Sequence, residues 1–186
     1  MVAPRLKMSL AEFVAFENGS VTKHEFVNGE VYGMSGGTLE HGRLSSRFLR
    51  LLGNALEGKP CVPYGSDVRV RVPGVGIFYP DGSVVCGLPE TTPEDPEGII
   101  NPKVLVEVLS DSTEAYDRGD KFAHYRRLQS FKEYVLIGQK ERLIEVHRRT
   151  GPSEWEVRYF GPGEQVELAS LEVRLSIDAI YATPVG

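Results

Sequence analysis

Two carboxylates in apolar surroundings are the residues of this chain best placed to do chemistry. Glu107 lies within the apolar run 104–109, where an unpaired carboxylate would carry a large cost of desolvation. Asp81 follows Pro80 in a second strand-like segment, and a proline there indicates a kink, a bulge or an edge. If the two segments are neighbouring strands, both carboxylates reach one point. Carboxylate oxygens suit a hard cation, so the pattern predicts a site for Mg²⁺ or Mn²⁺.

Each of these residues also has a simpler interpretation. Glu107 is compatible with a structural role beside a buried partner, and Pro-Asp-Gly at 80–82 is a common turn sequence. Lys121 begins a helix soon after the Glu107 strand, but Asp117 precedes it by four residues, the spacing of a favourable surface ion pair. Two acids in such places, followed by a lysine, together favour a functional site.

Length and composition indicate one globular domain. The chain has 186 residues, of which 41% are hydrophobic and 25% charged, so a core can form without a stabilising metal or disulfide. No apolar run is long enough to span a membrane, and residues 1–6 lack the apolar segment of a signal peptide. Cys61 and Cys86 have neither CxxC spacing nor clustered partners, so we expect a reducing, cytoplasmic location.

Hydrophobic periodicity predicts a mixed α/β (α+β) domain with a meandering sheet. Ser9 and Glu12 have the spacing of a helix capping box, and Asn28-Gly29 between apolar runs predicts a hairpin. Residues 87–102 contain four acids, four prolines and no base, which is typical of a loop. We expect further helices at 41–56 and 111–131, strands at 66–73, 78–85, 103–110, 133–138, 142–149 and 155–161, and a strand end or short helix at 175–181.

The chain is acidic overall, but its positive charge lies near the predicted site. It has 21 Lys and Arg residues and 26 Asp and Glu residues, a net charge of −5, which is unusual for a nucleic-acid binder. The 87–102 loop holds much of the excess acid, whereas both long helices are basic. Arg43 and Arg47 share a helix face, and together with Arg118 they are candidate phosphate contacts. The alternative is that these are ordinary solvated helix faces. The alternating 66–73 strand is expected to be half-exposed, with Arg69 on its polar side.

A longer pattern resembles a known family. The matching segments are EVLSDSTEAYDRGDKFAHYRRLQSFKEYVLI at 107–137, HEFVNGEVYGMSG at 24–36, Glu40-His41 and YPDGSVV at 79–85. They resemble the Uma2 family, also called DUF820, of the PD-(D/E)XK nuclease superfamily. The resemblance implies a single restriction-endonuclease-like domain over residues 1–186. Its αβββαβ core would carry an added N-terminal helix and hairpin and added C-terminal strands.

The resemblance also implies the composition of a site. Asp81 and Glu107 would be ligands of Mg²⁺ or Mn²⁺, with the backbone carbonyl of Val108 as a further ligand. The superfamily pattern places a lysine two residues after the acid, where this chain has Leu109. The Uma2 pattern implies that Lys121 takes over that role from the next helix, orienting a water or stabilising charge on the phosphate.

Four further residues near these positions have open roles. His41 is a candidate phosphate contact or proton carrier, or a helix-terminal histidine without a role. Glu25 is either an additional ligand or a strand residue, and Glu30 has the same two interpretations. Tyr125 lies one turn from Lys121, where packing is the expected role.

Three functions are therefore compared. The leading hypothesis is a metal-dependent nuclease that hydrolyses phosphodiester bonds, with DNA favoured over RNA and a homodimer expected from the resemblance. The alternative is a nucleic-acid-binding or protein-interaction module that keeps the fold with weak or no catalysis. A carboxylate-pair hydrolase acting on sugars is disfavoured, because it leaves Lys121 and the basic helices without a purpose.

Overall fold

The computed structural model describes residues 6–183. The absence of a signal peptide in residues 1–6 was a prediction that lies mostly outside the described residues, and a single domain over 1–186 also stays a prediction. The helices are α1 (Leu10–Asn18), α2 (Leu39–Leu56), α3 (Glu114–Tyr116), α4 (Phe122–Tyr125) and α5 (Ile177–Tyr181), with a π-helical turn at Asp117–Lys121 between α3 and α4. The strands are β1 (His24–Val27), β2 (Glu30–Gly33), β3 (Cys61–Gly65), β4 (Val70–Val72), β5 (Gly76–Phe78), β6 (Gly82–Cys86), β7 (Val104–Val108), β8 (Glu133–Ile137), β9 (Ile144–Arg149), β10 (Trp155–Phe160), β11 (Gln165–Leu168) and β12 (Val173–Ser176).

The local signals at the N-terminal end are confirmed. Ser9 caps α1 by accepting from the backbone N–H of Glu12, and the Glu12 carboxylate accepts from the backbone N–H of Ser9. Asn28 and Gly29 both have positive φ, at 50° and 89°, as a two-residue hairpin turn requires. β1 and β2 pair antiparallel across this turn. This part of the fold therefore follows directly from its sequence.

The strands form three sheets. The largest has six strands in the order β10-β9-β8-β7-β6-β3, a second has the order β2-β1-β5-β4, and β11 pairs with β12. In the six-stranded sheet β3, β6 and β7 run as an antiparallel meander, and β8 lies parallel to β7 after the helical segment. The chain order α2, β3, β6, β7, helix, β8 is the expected αβββαβ core.

Two elements of that core differ from the predictions. The 66–73 segment was predicted to be a strand, and β4 within it lies in the four-stranded sheet, whereas β3 at Cys61–Gly65, which was not predicted, provides the first strand of the core. Arg69 was expected on the polar side of a half-exposed strand, and this was wrong. It is buried and pairs with the buried Asp95 of the acidic loop at 2.5 Å. The loop is thus anchored to the domain by one of its own acids.

The proline bend marks the passage of the chain from one sheet to the other. β5 ends at Phe78 in the four-stranded sheet, and β6 begins at Gly82 in the six-stranded sheet. Pro80 has no N–H to offer to a sheet, so the break between the strands falls at this position. Asp81 therefore stands at the start of β6, where the two sheets meet.

The cysteines correct a second expectation. Cys61 and Cys86 lie directly opposite each other in the β3–β6 ladder and form a disulfide. The expectation of cysteines without partners was wrong. Their 25-residue separation resembles no short motif, and the antiparallel register is what brings them together.

The core occupies both faces of the six-stranded sheet. α2 buries Leu44, Phe48, Leu52 and Leu56 against one face, where Val104, Val106 and Val108 of β7 also point. Leu105 and Leu109 pack on the opposite face with Phe122 and Tyr125. Because side chains alternate along a strand, Glu107 points to this second face, under the helical segment. Among residues 6–183, no helix combines the length and apolar character needed to cross a membrane.

Candidate active site

Glu107 is buried at the centre of the sheet, as predicted. All five residues of β7 are buried between β6 and β8, and Glu107 has 5% of its surface exposed. Its Oε1 accepts a hydrogen bond from the Tyr125 hydroxyl at 3.1 Å. The same Oε1 lies 2.8 Å from Nζ of Lys121. The carboxylate therefore has the buried partner that its surroundings demand.

Lys121 reaches this position from a π-helical turn. The turn spans Asp117–Lys121, and both of its end residues are buried, with 3% and 5% of their surfaces exposed. The interpretation of these two residues as a surface ion pair was wrong. Nζ of Lys121 lies 3.7 Å from Oδ1 of Asp117, inside the protein. Single π turns within helices occur frequently at functional sites.

Three carboxylates surround the Lys121 ammonium group. Besides Glu107 and Asp117, Glu25 of β1 places its Oε1 at 3.1 Å from Nζ. Burial by itself would lower the pKa of Lys121, but the charges of Glu107, Glu25 and Asp117 outweigh it and raise that pKa well above the ordinary value. The lysine therefore stays charged. Burial raises the pKa of Glu107 and of Asp117, although the charge of Lys121 opposes the rise.

Asp81 is held by two contacts on one oxygen. Its Oδ2 accepts from the backbone N–H of Val108 at 2.7 Å, and Nε2 of His41 lies 3.1 Å from the same atom. The hydrogen bond to Asp81, followed by charge interactions with Asp81 and Asp117, raises the pKa of His41, and partial burial opposes this. His41 belongs to the first turn of α2, where Thr38 caps the helix.

The sheet register brings Asp81 and Glu107 to the same end of neighbouring strands. Gly82 pairs with Val106 across the antiparallel β6–β7 ladder. Asp81 precedes Gly82 and Glu107 follows Val106, so the two acids lie opposite each other at the same end of the ladder. The charge of Asp81 adds to the burial that raises the pKa of Glu107. The adjacency predicted for the two carboxylate-bearing segments is present.

The donor set at this point fits a divalent cation. It offers hard carboxylate oxygens, and the single positive charge of Lys121 faces three carboxylates. Among the described residues, no group of three or more His, Cys, Asp or Glu side chains stands in a metal-holding arrangement. The pair of Asp81 and Glu107 therefore stays a predicted metal site.

Besides His41, two of the residues with open roles contact the centre and one does not lie in it. Glu25 bonds to Lys121 and also accepts from the backbone N–H of Tyr79 at 3.2 Å. Tyr125 packs in the core as expected, and in addition its hydroxyl bonds to Glu107. Glu30 lies on β2, the edge strand of the other sheet, and accepts from the Tyr32 hydroxyl at 2.7 Å.

The candidate phosphate contacts are bonded within the protein. Arg43 pairs with Glu40 and donates to the carbonyl of Ala182, and Arg47 donates to the carbonyl of Ala179 in α5. These bonds fix α2 against the C-terminal helix. Contact of either arginine with nucleic acid stays a prediction.

Arg118 is likewise paired, although it is closer to the centre. It bonds to Glu114 and to the buried Glu145, which also bonds to His147. Burial acts to raise the pKa of Glu145, but the hydrogen bonds from His147 and Arg118 outweigh it and hold that pKa below its ordinary value. Arg118 keeps 37% of its side chain exposed, and its contact with nucleic acid also stays a prediction.

Two cavities lie near the buried cluster, and neither is lined by Asp81 or Glu107. One, of about 770 Å³, is lined by Glu25, Tyr32, Tyr116, Asp117 and Lys121 among others. The second, of about 600 Å³, opens at the ends of β7 and β8 and is lined by Thr38, Leu109, Arg118, Gln139 and Glu145 among others. The buried cluster therefore borders space large enough for part of a ligand.

Sequence reasoning missed two polar residues on the second cavity. Thr38 precedes a predicted helix, so its capping role was detectable, but nothing linked it to the site. Gln139 has no sequence signal at all, because a glutamine after a strand is ordinary. The side chains of Thr38 and Gln139 are hydrogen bonded to each other at 2.8 Å.

Comparison with known proteins supports the interpretation of the fold. The sequence model of the Uma2 family, described as “Putative restriction endonuclease”, matches residues 10–179. Two proteins of Synechocystis sp. are similar to this chain. The protein slr1290 is 32% identical, and the match covers 96% of this chain and 94% of slr1290. The protein sll1609 is 28% identical, and the match covers 93% of this chain and 99% of sll1609. A crystal structure from Anabaena variabilis, described as a “putative nuclease belonging to DUF820”, matches with a TM-score of 0.76 at 19% identity over 94% of this chain and 98% of that chain. The fold is therefore restriction-endonuclease-like, and the family match over 170 residues confirms the resemblance: this chain belongs to the Uma2 family.

Proposed function

We propose that this protein is a metal-dependent nuclease that hydrolyses phosphodiester bonds of nucleic acid. The observation that carries the proposal is the contact of Lys121 with Glu107 at 2.8 Å beside Asp81. This contact supports the proposal that Lys121 takes the role that the superfamily pattern gives to a lysine on the strand. The descriptions of the family and of the Anabaena variabilis protein support the same activity.

Each residue has a definite role in this proposal. Asp81, Glu107 and the Val108 carbonyl would hold Mg²⁺ or Mn²⁺, which supplies Lewis acidity at a phosphoryl oxygen when bound. Lys121 would orient the attacking water or stabilise negative charge that develops on the phosphate. His41 keeps Asp81 oriented through its 3.1 Å contact and is the group best placed to carry a proton.

One observation favours the alternative of a catalytically weak or inactive module. The side chain of Lys121 has 7% of its surface exposed and already contacts three carboxylates. A lysine enclosed in this way stabilises the fold whether or not it ever meets a phosphate. Under this alternative the same surface would bind nucleic acid or protein without cleaving it.

DNA as the preferred substrate and a homodimer complete the proposal, whereas the Cys61–Cys86 disulfide removes the reason given for a reducing, cytoplasmic location. β10 is an outer strand of the six-stranded sheet, and Val157 and Tyr159 expose 42% and 60% of their surfaces there. The outer strand of a sheet is suited to pairing with another strand. A two-fold axis at Val157 would place Glu156 opposite Arg158 of the partner subunit, so the strand is self-complementary in charge.

A metal titration separates the nuclease from the inactive module. We expect Mn²⁺ to bind the wild-type protein by calorimetry, and we expect Asp81→Asn and Glu107→Gln each to weaken this binding by at least an order of magnitude. Glu30→Gln is the matched control, since Glu30 lies on the outer strand of the other sheet. Mn²⁺ binding that is unchanged in both the Asp81 and the Glu107 variants would rule out the proposed metal site. Cleavage without added metal would rule out the proposed mechanism.

A further inference from the structure

Gln139 joins the ends of two structural elements at the site. It follows β8 after Gly138, and its Nε2 donates to the backbone carbonyl of Leu109 at 2.6 Å. Leu109 directly follows β7, the strand of Glu107 and Val108. The other end of the same amide, Oε1, accepts from the Thr38 hydroxyl at 2.8 Å. One side chain therefore connects the end of β7 to the start of α2.

The direction of these bonds is fixed by chemistry. The Thr38 hydroxyl accepts from the backbone N–H of His41 at 3.1 Å, and its one hydrogen is directed to Gln139. A carbonyl oxygen can only accept, so the amide nitrogen of Gln139 must face Leu109. Both polar atoms of Gln139 are therefore used, and rotating the amide by half a turn would set two acceptor oxygens against each other at Leu109.

The bonds continue until they form a closed ring. His41 contacts Oδ2 of Asp81 at 3.1 Å through Nε2, and the backbone N–H of Val108 donates to the same oxygen at 2.7 Å. Val108 is the neighbour of Leu109, where the path began. The ring runs through α2, the start of β6, the end of β7 and the loop after β8, so it holds four elements together at the candidate catalytic end of the sheet.

The backbone around Gln139 is itself fixed. The one hydrogen of the Tyr181 hydroxyl is shared between the carbonyls of Gly138 and Leu143, at 2.8 and 2.9 Å, and the backbone N–H of Gly138 donates to the Leu143 carbonyl. The glutamine side chain thus projects from an anchored turn. Rotation of α2 away from Asp81 would require the Gln139 bonds to break.

We infer that Gln139 is a positioning residue that, through Thr38, holds His41 against Asp81 at the end of β7. Only the expected effect on cleavage rests on the proposed function. The geometric part concerns Asp81, His41 and Val108, and it can be measured without metal or substrate.

The first experiment measures backbone amide exchange by NMR in Gln139→Leu, which keeps the side-chain size and removes both bonds. We expect exchange at His41 and Val108 to accelerate at least tenfold, with little change at Leu52 in the middle of α2. Gln129→Leu is the matched control, because Gln129 is an exposed glutamine with no side-chain bond to the site. Unchanged exchange at His41 and Val108, or equal acceleration at Leu52, would overturn the inference.

The second experiment uses rates of nucleic-acid cleavage. We expect Gln139→Leu and Thr38→Val to slow turnover by about 10- to 100-fold with little change in KM, as loss of orienting bonds does elsewhere. Thr38→Ser keeps the hydroxyl and should restore the rate. His41→Ala combined with Gln139→Leu should be no slower than His41→Ala alone. An active enzyme in which Gln139→Leu has no effect would refute the inference, whereas a wild-type protein without cleavage but with the expected exchange pattern would refute only the proposed function.

Discussion

Replacement of Lys121 by methionine tests whether this lysine compensates the buried carboxylates. The substitution keeps most of the length of the side chain but removes its charge, leaving Glu107, Glu25 and Asp117 together without a cation. Removing one partner from a buried ion pair costs about 3–5 kcal/mol. The 2.8 and 3.1 Å contacts of the almost fully buried ammonium group place Lys121→Met in that range.

Urea unfolding at pH 7, followed by fluorescence of Trp155, the one tryptophan, measures this loss. Lys140→Met is the matched control, because Lys140 pairs with Asp111 at 2.6 Å but both side chains are about three-quarters exposed. That substitution should change the free energy of unfolding very little. Adding Glu107→Gln to Lys121→Met should recover part of the loss, since the two charges are coupled. Equal effects of Lys121→Met and Lys140→Met would refute the reasoning.

Three further predictions concern other parts of the molecule. A Cβ at position 37 would lie 2.8 Å from Nδ1 of His41 and would displace the ring, so Gly37→Ala should slow cleavage by about 100-fold. Gly36→Ala is the control, because a Cβ at position 36 has no atom within 4 Å and should leave the rate unchanged. Equal rates in the two variants would contradict the assigned position of His41. The pKa of Glu145 is held below its ordinary value, so its ionised form stabilises the fold above about pH 4.3 and this contribution is lost as the pH falls through the folded-state pKa. Glu145→Gln should therefore be less stable than wild type at pH 7 and approach it near pH 3, and a difference that does not vary with pH would be evidence against this account. If β10 pairs with a second copy, light scattering should report a dimer that Val157→Asp converts to a monomer, and a monomeric wild type would exclude the pairing.

The central carboxylate and its partner strand were predictable because their signals are local. An acid inside an apolar run must have a partner, and Pro80 marks a break wherever the chain folds. The positions of Asp81 and Glu107 at one end of neighbouring strands follow from those two facts and the meander. Lys121 was identified by the family resemblance, since its spacing from Asp117 alone suggested a surface pair.

Other parts of the site depend on which face of a helix each residue occupies and on how strands far apart in the sequence are aligned. The π turn adds a residue to one helical turn, so the faces of Asp117 and Lys121 differ from those expected of a regular α-helix. The disulfide and the Arg69–Asp95 pair likewise arise from registers that no local pattern encodes. Gln139 shows the limit most clearly, because its role exists only when α2, β7 and β8 are in place.

Cleavage of labelled DNA by the purified protein, with and without Mg²⁺, is the decisive test of a metal-dependent nuclease. We expect cleavage that requires the cation and falls by at least 100-fold in Asp81→Asn, Glu107→Gln and Lys121→Met, each shown to be folded under the assay conditions. Cleavage that persists in chelator, or that survives all three substitutions in folded protein, would contradict it.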